Sequence, residues 1–377
     1  MNIALNAMQV RAAKSGVGQY IHALLEGLLN QATTHQFTIY CSAQNATNYN
    51  IPNANLTVKT WGLPENARSL RLLYEHALLP KELQQAGYDV FHGMSNFLPP
   101  IKTCPYVVTI HDLSYFVQPW RCRFVRRKYW YLMTGRTVKV ADRIITVSEN
   151  SRRDIERYFP EARERIVVVP EAAHRRFQPL NFSREQSVMD GTKFNLNGRP
   201  FLLYVGTLEP GKNVKRIIEA FDQIAEQFPE HLLVLAGGKG WLYEPILEAA
   251  RHARAADRII FTGHVGDNEV VELLNFCEAF VYPSLYEGFG LPPLEAMACG
   301  APVIASNSSS LPEVTGDAAL TVDPESVPEI AQAMKDLLSN PSKRADLRAR
   351  GLERAKLFSW EKAARQTLDV YEDLGAR

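Results

Sequence analysis

Two glutamates flank a glycine loop within the segment from Val281 to Ser306, and their residue type suits a sugar-binding site. Glu287 directly precedes Gly288, and seven residues separate it from Glu295. Carboxylates accept hydrogen bonds, so a pair of them lining one cleft can hold sugar hydroxyls. The alternative is that Glu295 is a first-turn helix acid that complements the helix dipole, and that Glu287 is loop surface.

The residues around this pair predict a strand, a glycine loop and a helix. The apolar run 280–282 is typical of a buried strand, and the loop spans 284–291. Pro292 and Pro293 suit the first turn of a helix, and Gly300 suits its end. In such a βαβ unit the loop lies at the carboxyl end of the strand, where α/β sheets bind ligands and the helix N-terminus attracts phosphate.

The stretch from Glu287 to Ser306, EGFGLPPLEAMACGAPVIAS, closely resembles the E-x7-E signature of retaining glycosyltransferases with the GT-B fold, glycosyltransferase family 4. The resemblance implies that Glu287 positions the donor sugar without attacking it and that Glu295 binds the nucleotide ribose. It implies further donor contacts in the loop and at the helix start, at Gly288, Phe289, Gly290 and Leu291.

A lysine follows the predicted strand 201–206 in the second half of the chain. Alone, Lys212 would be interpreted as a surface residue, but its segment GTLEPGKN resembles the family's G-T-L-E-P-R-K-N, whose adjacent Arg and Lys clamp the diphosphate. Gly211 stands where the family has Arg, so we expect a clamp with one cation, or one assisted by Lys215 or Arg216. The same resemblance implies donor contacts at four further positions: Gly206, Thr207, Gly263 and Val265.

A histidine follows a strand in the first half of the chain. The run 106–110 is apolar on both faces, which predicts a buried parallel strand with His111 at its carboxyl end. A capping or structural histidine is the alternative. The segment VVTIHDL resembles the family's strand-end histidine, which faces the donor sugar and the acceptor. His92 is a weaker second candidate.

A Gly-x-Gly pattern follows the first predicted strand, 2–6, and precedes a predicted helix over 17–29. In the family this loop lies opposite the diphosphate and the donor sugar, which implies backbone contacts at Gly16 and Gly18. A tight turn without a ligand is an equal alternative. A nicotinamide-binding fold is disfavoured, because Ile21 stands where G-x-G-x-x-G needs a third small residue.

The chain of 377 residues is long enough for two α/β domains, and strand patterns alternate with helix patterns throughout. The resemblance implies the GT-B architecture, with two Rossmann-like domains facing across a cleft, the acceptor on the first and the donor on the second. A polar, irregular stretch predicts the linker. The expected boundaries are 1–177 for the first domain, 178–200 for the linker, 201–357 for the second domain, and 358–377 for a C-terminal helix that returns to the first.

Charge divides unevenly between the two halves. Residues 1–190 hold 23 Lys and Arg against 15 Asp and Glu, and residues 191–377 hold 19 against 26. The stretch Arg121–Trp130 interleaves cations with aromatics, which suits an anionic membrane surface or an anionic acceptor. A solvated helix face is the alternative. Nucleic acid is disfavoured as a partner, because the whole chain is nearly neutral.

We expect a cytoplasmic protein, peripheral on the membrane, because the N-terminus lacks a signal-peptide pattern and the five cysteines form no C-x-x-C pair. No D-x-D motif occurs, so we expect no metal and no cofactor. The predicted function is retaining transfer of a hexose from UDP-glucose or GDP-mannose to a glycan or lipid-linked acceptor in polysaccharide biosynthesis. The alternatives are a nucleotide-sugar epimerase and a non-catalytic nucleotide-sugar-binding scaffold.

Overall fold

The computed structural model describes residues 1–10, 16–31, 34–62, 67–121, 124–181, 194 and 196–375. The chain divides into two compact units. The first unit combines Met1–Glu171 with Ser359–Arg377, and the second is Ala172–Phe358. The boundary between the units after Glu171 therefore falls before the predicted domain end at 177. The predicted linker 178–200 belongs to the second unit, and residues 182–193 and 195 lie outside the described residues.

The first unit is built on a parallel sheet of seven strands within the described residues. The strands are β1 (Asn2–Asn6), β2 (Gln36–Ser42), β3 (Leu56–Trp61), β4 (Val90–Gly93), β5 (Tyr106–Ile110), β6 (Arg143–Thr146) and β7 (Ile166–Val168). Their order is β3-β2-β1-β4-β5-β6-β7. Strands β2 and β3 are added on one side of β1 and strands β4 to β7 on the other, so the strand order reverses between β1 and β4. All five residues of β5 are buried, as expected for a parallel strand covered on both faces.

Helices flank this sheet: α1 (Gly16–Asn30), α2 (Arg68–Leu73), α3 (Leu79–Ala86), α4 (Ser114–Val117), α5 (Phe124–Val140), α6 (Glu149–Tyr158) and the C-terminal helix (Trp360–Gly375). A π-helical turn, Tyr74–Leu78, joins α2 to α3. The C-terminal helix packs against α1, and a Cβ at Gly27 would lie 3.0 Å from the Ala364 Cβ. Ser359 caps that helix as predicted, because its hydroxyl accepts from the Lys362 amide at 3.1 Å.

The second unit has a parallel sheet in the order β10-β9-β8-β11-β12-β13. Its strands are β8 (Phe201–Val205), β9 (Leu232–Ala236), β10 (Ile259–Gly263), β11 (Ala279–Tyr282), β12 (Val303–Ser306) and β13 (Ala319–Val322). Its helices are α7 (Val214–Ile224), α8 (Glu244–His252), α9 (Asp267–Phe276), α10 (Leu291–Cys299), α11 (Leu311–Thr315), α12 (Val327–Ser339) and α13 (Pro341–Ala355). The C-terminal helix is therefore α14.

Both units are thus parallel-sheet α/β structures, as predicted for the fold class. Within the described ranges, no helix combines the length and the apolar composition that crossing a membrane requires.

Candidate active site

The carboxyl end of the second sheet brings Lys212 and Glu287 together across 75 residues of sequence. The Lys212 ammonium donates to both carboxylate oxygens of Glu287, at 2.7 and 2.8 Å. The Tyr282 hydroxyl, at the end of β11, donates to Glu287 Oε1 at 2.9 Å. The lysine side chain is 20% exposed and the glutamate side chain 12% exposed. The result is a hydrogen-bonded ion pair that a ligand can still reach.

The electrostatics of this pair favour the charged forms. Burial by itself raises the pKa of Glu287, but the Lys212 ammonium and the hydrogen bonds from Lys212 and Tyr282 outweigh it and hold that pKa below its usual value. Burial likewise opposes the charge on Lys212, and the Glu287 carboxylate reverses this, so that the pKa of Lys212 is raised. Both directions agree that the ion pair is stable at neutral pH.

Serines after β12 hold the loop that carries Glu287. The Glu287 amide donates to Ser309 Oγ at 3.0 Å, and the Ser310 hydroxyl donates to the backbone carbonyls of Glu287 and Phe289. Gly290 has φ 121°, and a Cβ there would lie 2.6 Å from a methyl carbon of Leu311. Both the positive φ and the lack of room for a side chain therefore favour glycine at position 290.

Helix α10 begins at Leu291, directly after the loop. Pro292 and Pro293 have no N–H, so the donors at this helix end come from Gly290 and Leu291. Glu295 is half-buried in the second turn, and the first turn contains no acidic residue. The interpretation of Glu295 as a first-turn acid is therefore wrong.

The segment around Gly211 is fixed by its backbone. The Gly211 carbonyl accepts from the Leu285 amide at 3.0 Å and from the Ser284 hydroxyl at 3.1 Å, and this links the lysine segment to the glutamate loop. Of the two cations considered as helpers, Lys215 lies 3.5 Å from Glu219 on the exposed face of α7, and Arg216 donates to Asn213 Oδ1 at 2.9 Å.

The remaining predicted donor contacts lie at strand ends of the same sheet. Gly206 follows β8 with φ 155°, and the carbonyl of Thr207 accepts from the Tyr204 hydroxyl at 2.9 Å. Gly263 ends β10 with φ 69°, and Val265 is buried two residues later. Their roles in donor binding stay predictions, as do those of Gly288, Phe289, Leu291 and Glu295.

In the first unit, His111 directly follows β5, as predicted. Its Nε2 lies 3.1 Å from the Met94 carbonyl and its Nδ1 lies 3.3 Å from Glu171 Oε1. Each ring nitrogen therefore faces an oxygen atom of the protein. The ring also meets that of Tyr20 edge-on, with centroids 4.6 Å apart. His111 is thus firmly oriented at the sheet edge.

His92, the weaker candidate, is a structural residue. It is fully buried, with Nδ1 2.6 Å from the Tyr371 hydroxyl of α14 and Nε2 2.8 Å from the Thr109 hydroxyl. Burial lowers the pKa of His92 to about 3, with a smaller contribution from His111, so the ring is neutral at ordinary pH.

Gly16 and Gly18 lie in the first turn of α1, which begins one residue before the predicted start at 17. Their roles in donor binding stay predictions. Residues 11–15, which precede them, lie outside the described residues.

Helix α5 carries much of the basic, aromatic stretch 121–130, of which Cys122 and Arg123 lie outside the described residues. Large apolar side chains are exposed on α5 at Phe124, Val125 and Leu132. A groove of about 590 Å³ lies beside them, and its lining combines aromatic and aliphatic side chains with Arg127 and Lys128. This face is both apolar and cationic.

Sequence reasoning missed Tyr282, Ser309, Ser310 and Glu171. Tyr282 ends a predicted strand next to the glycine loop, and the serine run follows the next strand, so their positions at strand ends were a usable signal. Glu171 gave no such signal, because it becomes a partner of His111 only through a contact over 60 residues.

Comparison with known proteins is consistent across the chain. A family model described as Glycosyltransferase Family 4 matches residues 14–173, and one described as Glycosyl transferases group 1 matches 191–354. The O-antigen chain mannosyltransferase B of Escherichia coli is 36% identical over 284 residues, which cover 75% of this chain and 74% of that protein.

Solved structures agree on the fold. Sucrose-phosphate synthase from Thermosynechococcus elongatus has a TM-score of 0.81 at 22% identity, covering 100% of this chain and 99% of that one. HepE from Anabaena, solved in complex with UDP-glucose, has a TM-score of 0.74 at 16% identity and full coverage of both chains. The fold is that of the GT-B glycosyltransferases, and the chain belongs to glycosyltransferase family 4.

Proposed function

We propose that the protein transfers a mannosyl residue from GDP-mannose to a glycan or lipid-linked glycan acceptor in polysaccharide biosynthesis, with retention of configuration. The observation that carries the transferase activity is the Lys212–Glu287–Tyr282 cluster, which stands beside the N-terminus of α10. The choice of mannose is supported by the O-antigen chain mannosyltransferase B, the relative described above.

Lys212 and the start of α10 stabilise the leaving group. When the bond to the sugar breaks, negative charge develops on the diphosphate, and preorganised donors lower the barrier most where that charge appears. An ammonium has three N–H donors, and two of those of Lys212 point to Glu287, which leaves one for a phosphate oxygen. The Gly290 and Leu291 amides supply further donors.

Glu287 and Glu295 bind hydroxyls. Glu287 Oε1 already accepts from Tyr282 and Lys212, so the carboxylate is held in one orientation while its remaining lone pairs stay available to a sugar. Glu295 binds the ribose, as the family resemblance implies. His111 lies near the acceptor, and a diphosphate oxygen takes the acceptor's proton during same-face attack. We infer that no metal takes part, which predicts equal activity in EDTA and in magnesium.

The test of the donor is a thermal-shift series with GDP, UDP, GDP-mannose and UDP-glucose, followed by NMR of the product's anomeric configuration. GDP and GDP-mannose should raise the melting temperature, since a ligand that binds only the folded state stabilises it. Glu295→Ala should abolish that shift. A shift with UDP-glucose alone would indicate glucose as the donor sugar. A product with inverted anomeric configuration would contradict the retaining mechanism.

We further propose that the face of α5 rests on an anionic membrane surface, where a lipid-linked acceptor would be presented. On the side of α5 that lines the groove, Phe124 and Leu132 supply exposed apolar area, and Arg127 and Lys128 supply charge. Each cation near an anionic surface contributes about 1 kcal/mol. Apolar and cationic side chains on one helix are the combination that interfacial helices use.

Sedimentation with vesicles of phosphatidylglycerol and phosphatidylcholine tests this. The double variant Arg127→Glu/Lys128→Glu should lose vesicle binding. The matched double variant Arg153→Glu/Arg157→Glu changes the same charge on exposed positions of α6 in the same unit and should bind as the wild type does. Equal binding of both variants would contradict the proposed membrane face.

A further inference from the structure

A buried Arg–Glu pair lies at the carboxyl edge of the first sheet. Glu75 sits in the π-helical turn Tyr74–Leu78 and is 0% exposed. Its Oε1 accepts from the Asn6 side-chain amide at 3.2 Å, where β1 ends. Its Oε2 lies 3.6 Å from Arg71 Nε, and within the described part of the chain neither of these two atoms has a hydrogen-bond partner. The pair is therefore largely enclosed, and its two facing atoms lack hydrogen bonds.

Such an arrangement is unfavourable for folding. A buried ion pair offsets its desolvation only when its remaining polar atoms are hydrogen-bonded. Burial raises the pKa of Glu75 to about 7, although Arg71 and Asn6 act in the opposite direction. π-helical turns are rare and are frequent at functional sites. The pair also lies beside the point where the strand order reverses between β1 and β4, the position at which open α/β sheets bind ligands.

The pair is connected to His111 along the same sheet edge. The Asn6 carbonyl accepts from the Met94 amide at 3.3 Å, and the Met94 carbonyl faces His111 Nε2 at 3.1 Å. Hydrogen bonds through Asn6 and Met94 therefore connect Glu75 to His111 along the sheet edge.

On the basis of the proposed transferase function, we propose that Arg71 binds a hydroxyl group of the acceptor sugar and that Glu75 positions Arg71 for this contact. The side chain of Arg71 is 15% exposed, so a ligand can reach it, whereas Glu75 is enclosed. A guanidinium offers several N–H donors, and sugar hydroxyls accept such hydrogen bonds.

The test measures binding of octyl α-mannoside to the full chain by calorimetry, together with the KM for this acceptor and for GDP-mannose. Arg71→Gln and Glu75→Gln should each weaken mannoside affinity and raise the acceptor KM about tenfold or more, with the donor KM unchanged. A residue with only a structural role would not separate the two KM values.

A matched control exists in the same unit. Arg152 and Glu156 on α6 are also an i,i+4 pair joined through Nε, at 2.9 Å, with side chains 39% and 19% exposed. Glu156→Gln should leave both KM values unchanged. If Glu75→Gln does not fold, as judged by its thermal unfolding, Arg71→Gln decides the matter.

The outcomes separate the two proposals. If GDP-mannose does not bind, the donor assignment fails, but loss of mannoside binding in Arg71→Gln still supports the acceptor subsite. Absence of mannoside binding to the wild type, wild-type affinity in the Arg71 variant, or competition by inorganic diphosphate at this site would each overturn the subsite.

Discussion

The two units each hold a buried cation–carboxylate pair at the carboxyl edge of their sheet, and the pairs differ in how completely they are hydrogen-bonded. In the second unit both oxygens of Glu287 are bonded by Lys212, and the pKa of Glu287 is held below its usual value. In the first unit Oε2 of Glu75 has no hydrogen-bond partner among the described residues, and burial raises the pKa of Glu75 to about 7.

The difference lies in how far the charge partner and the hydrogen bonds offset the burial of the carboxylate. Each pair joins a cation to a carboxylate at short range, yet the two carboxyl pKa values shift in opposite directions. In Lys212–Glu287 the ammonium charge and the hydrogen bonds together outweigh burial, so the pair is ionised and suited to stabilise charge that appears on a ligand. In Arg71–Glu75, Arg71 Nε and Glu75 Oε2 have no hydrogen-bond partner among the described residues, and burial dominates the pKa of Glu75.

Lys212→Ala should have the largest effect. It removes the ammonium that faces the developing diphosphate charge, so kcat/KM should fall by about 10²–10³-fold. Lys215→Ala is the matched control, because Lys215 lies three residues further along and pairs with Glu219 at the surface. Steady-state kinetics should show the control within about twofold of the wild type. Similar losses of kcat/KM in both variants would contradict the assignment of leaving-group stabilisation to Lys212.

Glu287→Gln should follow, with kcat/KM lowered at least tenfold and the free energy of unfolding lowered by about 2 kcal/mol at pH 7, because Lys212 is left without its charge partner. The pKa of Glu287 is depressed in the folded state, so its contribution to stability is present above pH 4.5 and is lost as the pH falls through the folded pKa. Urea unfolding between pH 3 and 7 should therefore show a smaller acid loss in the variant. An unchanged acid limb would contradict the ion pair.

Glu75→Gln should show the opposite dependence on pH. The folded pKa near 7 exceeds the ordinary value of 4.5, so the folded chain binds the extra proton, and wild-type stability falls as the pH rises from 4.5 to 7. The variant lacks this titration, and its stability should change less over that window, by the order of 2 kcal/mol.

Glu156, the carboxylate of the Arg152–Glu156 pair, is the control for this pH series. Glu156→Gln should preserve the wild-type slope between pH 4.5 and 7, because the pKa of Glu156 is lowered by its hydrogen bond from Arg152 and does not move into that window. Parallel curves for the wild type and Glu75→Gln would show that Glu75 keeps an ordinary pKa, and the contrast between the two units would disappear.

The contrast between the pairs also marks what sequence can and cannot predict. Strand-end positions were accessible: β5 followed by His111, and β11 followed by the glycine loop, come from local patterns. The family and fold followed from the E-x7-E stretch. The pairing of Lys212 with Glu287 did not follow from the sequence, because side-chain contacts over 75 residues depend on how strands are ordered in the sheet.

Glu75 was less accessible still. The π-helical turn adds a residue to the turn and shifts which side chains face inward, so a 3.6-residue periodicity does not predict its burial. His92 is buried because Tyr371 of α14 covers it, a contact that requires the C-terminal helix to pack on the first sheet. Gly16 lies in α1 and not before it, because the helix includes one residue more than its apolar pattern predicted.

Tyr282→Phe should have the smallest effect and isolates hydrogen bonding from charge. It removes the hydroxyl that donates to Glu287 Oε1 and leaves both ionic groups in place. Stability should fall by about 1–2 kcal/mol and activity about threefold. Because that hydrogen bond helps to lower the pKa of Glu287, the folded pKa of the variant lies closer to 4.5, so its acid loss of stability should be smaller and should end at a higher pH than in the wild type. Tyr204→Phe is the matched control, since Tyr204 stacks on Tyr282 but donates to the Thr207 carbonyl. A changed loss of stability at acid pH in Tyr282→Phe alone would show that this hydrogen bond helps to set the pKa of Glu287. Equal losses in both variants would attribute that pKa to the Lys212 charge.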